Sequence, residues 1–78
     1  MTRGIFNWTA EDVMRFLKAH NFLHTYTRGS HMFYAGHYNG TPRQVCVPFH
    51  ASRSLAPRVL KSIIRQSGIS QKEWLEKD

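Results

Sequence analysis

The chain predicts an α+β domain in the order α-β-β-β-α-α. Three strands form an antiparallel sheet, helices cover one face of it, and a short extra helix closes the C-terminus. Three observations lead to this architecture. A capped, amphipathic helix occupies the region around residues 9–20. Three runs rich in aromatic and β-branched residues follow, separated by glycine-bearing turns. A second amphipathic helix then begins near Pro57. At 78 residues the chain has room for one modest core, so residues 1–78 read as a single domain.

The first helix carries its start signal in full. Thr9 stands at the N-cap with Asp12 at N3, an acidic variant of the capping box. Trp8 and Val13 have the spacing of a hydrophobic staple. Val13, Phe16 and Leu17 recur at i, i+3 and i+4, so one face is expected to be buried. Glu11 and Asp12 lie in the first turn, where the helix dipole favours negative charge. The helix is expected to stop near His20-Asn21, because Asn tolerates the left-handed conformation.

Phe22 to Thr27 reads as the first strand and Arg28-Gly29-Ser30 as a turn. His31 to Tyr38 reads as the second strand. Alternation puts His31, Phe33, Ala35 and His37 on one face, with Met32, Tyr34 and Tyr38 on the other. Asn39-Gly40 is a hairpin signal within a loop that extends to Arg43. Arg43 to Pro48 reads as the third strand, with Val45 and Val47 inward, and Pro48 ends the ladder because it has no N–H. The second helix opens with Pro57 at a first-turn position and carries a Leu60, Ile63, Ile64 stripe. Arg58, Lys61 and Arg65 fall on nearly the opposite side. Gly68 is the expected stop, with Ile69 reaching Ile64 as in a Schellman motif. Ser70 and Glu73 have capping-box spacing for a last helix that carries Trp74 and Leu75.

Charge narrows the chemistry. The formal net charge is +6, and no carboxylate side chain occurs between Asp12 and Glu73. That interval holds nine Lys or Arg residues and all five histidines. A basic domain of this kind suits a polyanion such as nucleic acid. A two-metal nuclease needs carboxylates for its ions, and a glycosidase or aspartic protease needs a carboxylate pair. A body without acids suits neither, so no metal or other cofactor is expected. Histidine is then the expected acid–base group. One cysteine cannot form an internal disulfide, and there is no C-x-x-C pair. With no apolar run of membrane-spanning length and no secretory signal at Met1, a cytoplasmic location without membrane contact is expected.

Arg28-Gly29-Ser30-His31 is the segment that points to a reaction. Gly29 permits a tight turn whose N–H groups can receive a phosphate oxygen. An imidazole at His31 would sit beside that phosphate and could take a proton from a ribose 2′-hydroxyl. In-line attack would give a 2′,3′-cyclic phosphate without a metal, with Arg28 facing the charge of the transition state. Taken alone, His31 reads first as an ordinary turn or strand histidine, and a lone Gly-Ser-His is weak evidence for a site.

Further motifs extend the pattern. Val47-Pro48-Phe49-His50 follows, and then Leu60-Lys61-Ser62-Ile63-Ile64-Arg65-Gln66-Ser67-Gly68-Ile69-Ser70. In this order the chain resembles the HicA toxins, small mRNA interferases of type II toxin–antitoxin modules, over residues 8–76. The resemblance implies a fold like a double-stranded RNA-binding domain. It also implies endonucleolytic cleavage of mRNA that arrests translation and growth, and neutralisation by a HicB-type antitoxin. The family's catalytic histidine follows the Gly-Ser pair, which here is His31. Two positions depart from the pattern. Met32 stands where many members carry a second histidine, and the hairpin spreads over Asn39-Gly40-Thr41-Pro42 where members often have a short Asp-Gly turn.

The remaining candidates have two readings each. His50 is either a second proton carrier or a strand-ending hydrogen-bond partner. His37 shares a face with His31 but lies roughly 20 Å along the strand, too far to share one scissile bond. His20 and His24 are separated by the expected helix stop and form no metal pair. Cys46, between two inward valines, reads as a packed thiol. Arg58, Lys61 and Arg65 could contact phosphates or an acidic antitoxin surface, or simply be solvated. Tyr26, Tyr34 and Tyr38 could stack on bases or pack. Two other function classes fit the same chain: a non-catalytic RNA-binding module of this fold, and an interaction protein whose basic surface meets only a protein.

Overall fold

Thr9 starts the first helix as its sequence requires. Its hydroxyl accepts from the Asp12 N–H, and its own N–H donates to Asp12 Oδ2 at 2.9 Å. Both halves of the capping box are therefore made, and α1 runs Ala10–Ala19. Asn21, at φ 68°, turns the chain out of the helix. This computed structural model describes residues 7–49 and 53–75. Its further elements are β1 (Leu23–Arg28), β2 (His31–Tyr38), β3 (Thr41–Pro48), α2 (Pro57–Ser67) and α3 (Gln71–Leu75). The expected α+β order with one three-stranded antiparallel sheet, the arrangement of a double-stranded RNA-binding-domain-like fold, is what the chain adopts.

Both hairpins are tight. Arg28 pairs with His31 across Gly29-Ser30, and of the two loop residues only Gly29 has positive φ (59°). Tyr38 pairs with Thr41 across Asn39-Gly40, both at positive φ (53° and 77°), as a type I′ turn demands. The second hairpin corrects the sequence expectation of a loop spread over four residues. Thr41 and Pro42 are already in β3. Pro42 is tolerated there because β3 is an edge strand in the order β1-β2-β3.

The sheet buries one face only. Val45 and Val47 of β3 meet Val13 and Leu17 of α1 and Leu60, Ile63 and Ile64 of α2 in a single core cluster. Each such side chain stabilises the fold by about 1.5–3 kcal/mol when fully buried. Phe22 precedes β1 rather than opening it and is fully buried. Its ring lies against Gly36, where an added Cβ would come within 2.8 Å of it. β1, in contrast, is exposed along its whole length.

A bulge in β1 decides which side chains reach the open face. Leu23 pairs with Ala35 and His24 with Tyr34, but Tyr26 then pairs with Phe33, so Thr25 is the extra residue. Its hydroxyl donates to the Phe33 carbonyl at 3.1 Å, which satisfies the interrupted ladder. From the bulge onward β1 has changed faces. Tyr26 and Arg28 join Phe33 and His31 on the side that α1 and α2 leave uncovered.

The C-terminal end differs from expectation in two details. Gly68 stops α2 at φ 77°, but Ile69 does not bond to the Ile64 carbonyl directly. The buried hydroxyl of Ser67 stands between them, accepting from the Ile69 N–H at 3.1 Å and donating to the Ile64 carbonyl at 2.7 Å. Only half of the Ser70 capping box forms, with the Glu73 N–H donating to the Ser70 hydroxyl at 3.3 Å. The Glu73 carboxylate points elsewhere, accepting from Tyr38 Oη at 3.0 Å and lying 3.3 Å from His20 Nε2. Trp74 stacks on Phe16, with ring centroids 3.8 Å apart, and so fastens α3 to α1. No helix among the described residues is long and apolar enough to cross a membrane.

Candidate functional site

His31 is the first residue of β2, and backbone on both sides fixes its place. Arg28 is its partner in β1 and Pro48 its partner in β3. The preceding Ser30 carbonyl accepts from the Phe49 N–H at 2.7 Å, which ties the Gly29-Ser30 turn to the end of β3. Gly29 is needed for its positive φ and not for space, since an added Cβ would meet no atom within 4 Å. His31, Arg28, Gly29 and Ser30 are all exposed. The imidazole can therefore meet a ligand without any opening motion.

His31 opens onto a cleft of about 360 Å³ between β3 and α2. Cys46 and Pro48 line one wall, and Arg58, Ser62 and Gln66 line the other. Gln66 sets the spacing between these walls. Its Oε1 accepts from the Cys46 N–H at 2.9 Å, and its Nε2 donates to Ser62 Oγ at 3.2 Å. One side chain thus caps an open N–H of edge strand β3 and positions α2 beside it. Gln66 has no chemical signature in the sequence that would single it out, and the hints are its place in the α2 motif and its spacing from Arg58 and Ser62.

The start of α2 faces the same cleft. Its N-cap is Ala56, which has no side chain able to cap, and no acid lies in the first turn. Ala56, Arg58 and Val59 all line the cleft. The dipole of α2 and the guanidinium of Arg58 thus place positive charge on the side of the cleft opposite Pro48. Lys61 and Arg65 are exposed on α2 and do not line the cleft.

The other sequence candidates separate from this site. His37 lies at the far end of β2, opposite Pro42. His24 Nε2 lies 2.7 Å from Thr27 Oγ1, and the His20 Nδ1–H donates to the Phe16 carbonyl at 3.0 Å. These two histidines do not converge on a shared point. Among the described residues no group of three His, Cys, Asp or Glu side chains could hold a metal ion. His50 lies outside the described residues. Burial pushes the Cys46 thiol up, which disfavours the thiolate that a nucleophile would need. Tyr34 and Tyr38 pack against the core, and burial raises the Tyr34 phenol. Tyr26 alone of the three stands on the open face.

A family model described as the HicA toxin of bacterial toxin–antitoxin matches residues 10–69, from the start of α1 to Ile69 just beyond α2. The matched span contains His31 and every residue that lines the cleft. No curated protein and no solved structure matches the chain.

Proposed function

The chain belongs to the HicA toxin family of bacterial toxin–antitoxin systems, which implies an antitoxin partner, and on that premise we propose that it is a metal-independent endoribonuclease acting on mRNA. The observation that carries this reading is the position of His31. It is exposed at the head of β2, next to Arg28, and it shares a cleft with Arg58 and the uncapped start of α2.

The scissile phosphate would sit in this cleft, toward the α2 N-terminus and Arg58, because free N–H groups and a guanidinium attract an anion. His31 would take the proton of the ribose 2′-hydroxyl as its oxygen bonds to phosphorus. The bond from phosphorus to the 5′-oxygen breaks, and that oxygen is protonated as it leaves. The products are a 2′,3′-cyclic phosphate and a 5′-hydroxyl end. Arg28 and Arg58 would face the negative charge that builds on the pentacoordinate phosphorus. Gly29 and Ser30 hold the turn that aims His31. Lys61 and Arg65, on the exposed surface of α2, would steer the chain electrostatically without touching the scissile group. His50 is a candidate to protonate the leaving oxygen.

The antitoxin in this reading is of the HicB type and neutralises the toxin by covering the His31 cleft. Cleavage of mRNA by free toxin would stop translation and growth.

Incubating the purified protein with RNA in EDTA, beside His31→Ala, tests the proposal. Cleavage by the parent and not by the variant, with RNA binding retained in both, is expected. Equal cleavage by the two proteins would overturn the role of His31. RNA binding without cleavage by either would instead mark a non-catalytic RNA-binding module.

A further inference from the structure

Two aromatic rings stand on the sheet face that no described helix covers. Tyr26 of β1 and Phe33 of β2 are stacked with centroids 4.4 Å apart and planes 8° from parallel. Tyr26 remains 48% exposed. Phe33 covers one face of the Tyr26 ring, so the opposite face is turned away from the central strand and toward solvent. Leu23, on the same side of the sheet, is 67% exposed.

The stack is the product of the bulge. Regular alternation would pair Thr25 with Phe33 and send Tyr26 to the helix side. The extra residue, held by the Thr25 hydroxyl on the Phe33 carbonyl, brings Tyr26 to the open face instead. It also brings Arg28 opposite His31 on that face. Aromatic platform and candidate site therefore share one local device, two residues apart on β2, or roughly 7 Å at strand rise. Bulges are over-represented beside active sites for this reason.

Charge complementarity selects the occupant. The strands and their turns contain no acidic residue, and Arg28 stands two residues from Tyr26 on the same face, paired with His31 at the cleft. An exposed ring in a basic setting suits a nucleobase, since each base has a π-face to stack. A duplex keeps its bases stacked inside and presents only phosphates, hydroxyls and base edges. An aromatic face can be used only by unpaired bases.

We propose that the Tyr26–Phe33 stack is a base-stacking subsite for single-stranded RNA, holding the nucleotide next to the phosphate that His31 addresses. This rests on the endoribonuclease reading above and narrows its substrate to unpaired RNA threaded across the open sheet face. Tyr26 is a positioning residue in this arrangement, and Phe33 supports its ring.

The test measures binding, so its result is separable from that of the cleavage assay. In a His31→Ala background, Tyr26→Leu and Tyr26→Phe are compared for affinity toward a single-stranded RNA oligonucleotide and a duplex of equal length. Tyr26→Leu keeps an apolar side chain on an exposed strand but removes the ring. It is expected to weaken single-strand binding about tenfold and leave duplex binding unchanged. Tyr26→Phe is expected to retain the parent affinity. A 2-aminopurine base in the single strand is expected to be quenched on binding by the ring-bearing proteins and not by Tyr26→Leu. Unchanged single-strand affinity in Tyr26→Leu would overturn the proposal. So would an equal loss on both RNA forms. Unchanged RNA binding with loss of antitoxin binding would assign the face to a protein and overturn it as well.

Discussion

Replacing Ser67 by Ala removes one oxygen from a fully buried position. That oxygen accepts from the Ile69 N–H and from Trp74 Nε1, both at 3.1 Å, and donates to the Ile64 carbonyl at 2.7 Å. Ile69 and Trp74 are themselves buried, so water cannot replace the lost acceptor without local opening. An orphaned buried donor costs about 1–3 kcal/mol, so two of them predict a loss of about 2–4 kcal/mol once α3 has relaxed. Total stability is on the order of 5–15 kcal/mol, so this is a large share. For a domain of this size the fall in Tm should be roughly 10–20 °C. Urea titration followed by circular dichroism, with tryptophan fluorescence in parallel, reads both the loss and its location. Release of α3 should shift the fluorescence at lower urea than the loss of helix and sheet signal. Ser70→Ala is the control, because that exposed hydroxyl receives a single N–H at 3.3 Å. Its loss should cost about 1 kcal/mol or less. If Ser67→Ala unfolds within 1 kcal/mol of the parent, the claim that this hydroxyl joins α2 to α3 is wrong.

Two further predictions concern the turn and the latch. Gly29→Ala forces an L-residue to φ 59° with no steric neighbour, so its cost is conformational only, about 1–2 kcal/mol. Chemical denaturation checks that figure, and a stability equal to the parent's would show that the turn adapts. The Tyr38 hydroxyl donates to Glu73, and this bond, with desolvation and the nearby carboxylate charge, holds the phenol above its usual 10.0. A folded pKa above the unfolded one means that the stabilisation is full below pH 10.0 and is lost as pH rises through the folded value. The Tm gap between the parent and Tyr38→Phe should therefore be constant near neutrality and close at strongly alkaline pH. A gap that persists there would contradict the assigned hydrogen bond.

The features legible in the sequence are those set by near neighbours. The Thr9–Asp12 capping box, the left-handed Asn21 and Gly68, and the Asn39-Gly40 turn each depend on contacts within a few residues. The inward valines of β3 follow from alternation. What was not legible depends on distance along the chain or on a choice among equals. Nothing local tells that the Gln66 amide will reach the Cys46 N–H, or that Glu73 will leave its own helix start for Tyr38, 35 residues away. Ser67 reads as an ordinary late-helix residue, although its hydroxyl replaces a backbone bond. The bulge at Thr25 was hidden for a related reason. Neither face of β1 is buried, so no apolar alternation marks the change of register. Among five histidines, the residues singled out His31 only through the Gly-Ser turn and the family resemblance, and its alignment with Arg58 needed the fold.

The placement of the few acids bears on how a strongly basic site can sit on so small a domain. Asp12 closes the cap of α1 and pairs with Arg15 at 3.3 Å. Glu73 gathers Tyr38 and His20 at the junction of α3, β2 and α1. These two carboxylates therefore hold helices and make their bonds on the helix side of the sheet. In the proposed reaction a carboxylate near His31 would repel the substrate phosphate, and one in the first turn of α2 would compete for that helix terminus. Concentrating such acids at helix starts and latches lets the described residues of the open face and the cleft stay free of negative side chains. Placing an acid at Ser62, on the cleft wall, isolates this effect when it is read against Ser62→Gln, which loses the same hydroxyl partner of Gln66 and adds a side chain of the same size without the charge. The electrostatic argument requires Ser62→Glu to bind RNA more weakly than Ser62→Gln at matched stability, because the two variants lose the same hydrogen bond and differ only in the field in the cleft; equal affinities would refute it.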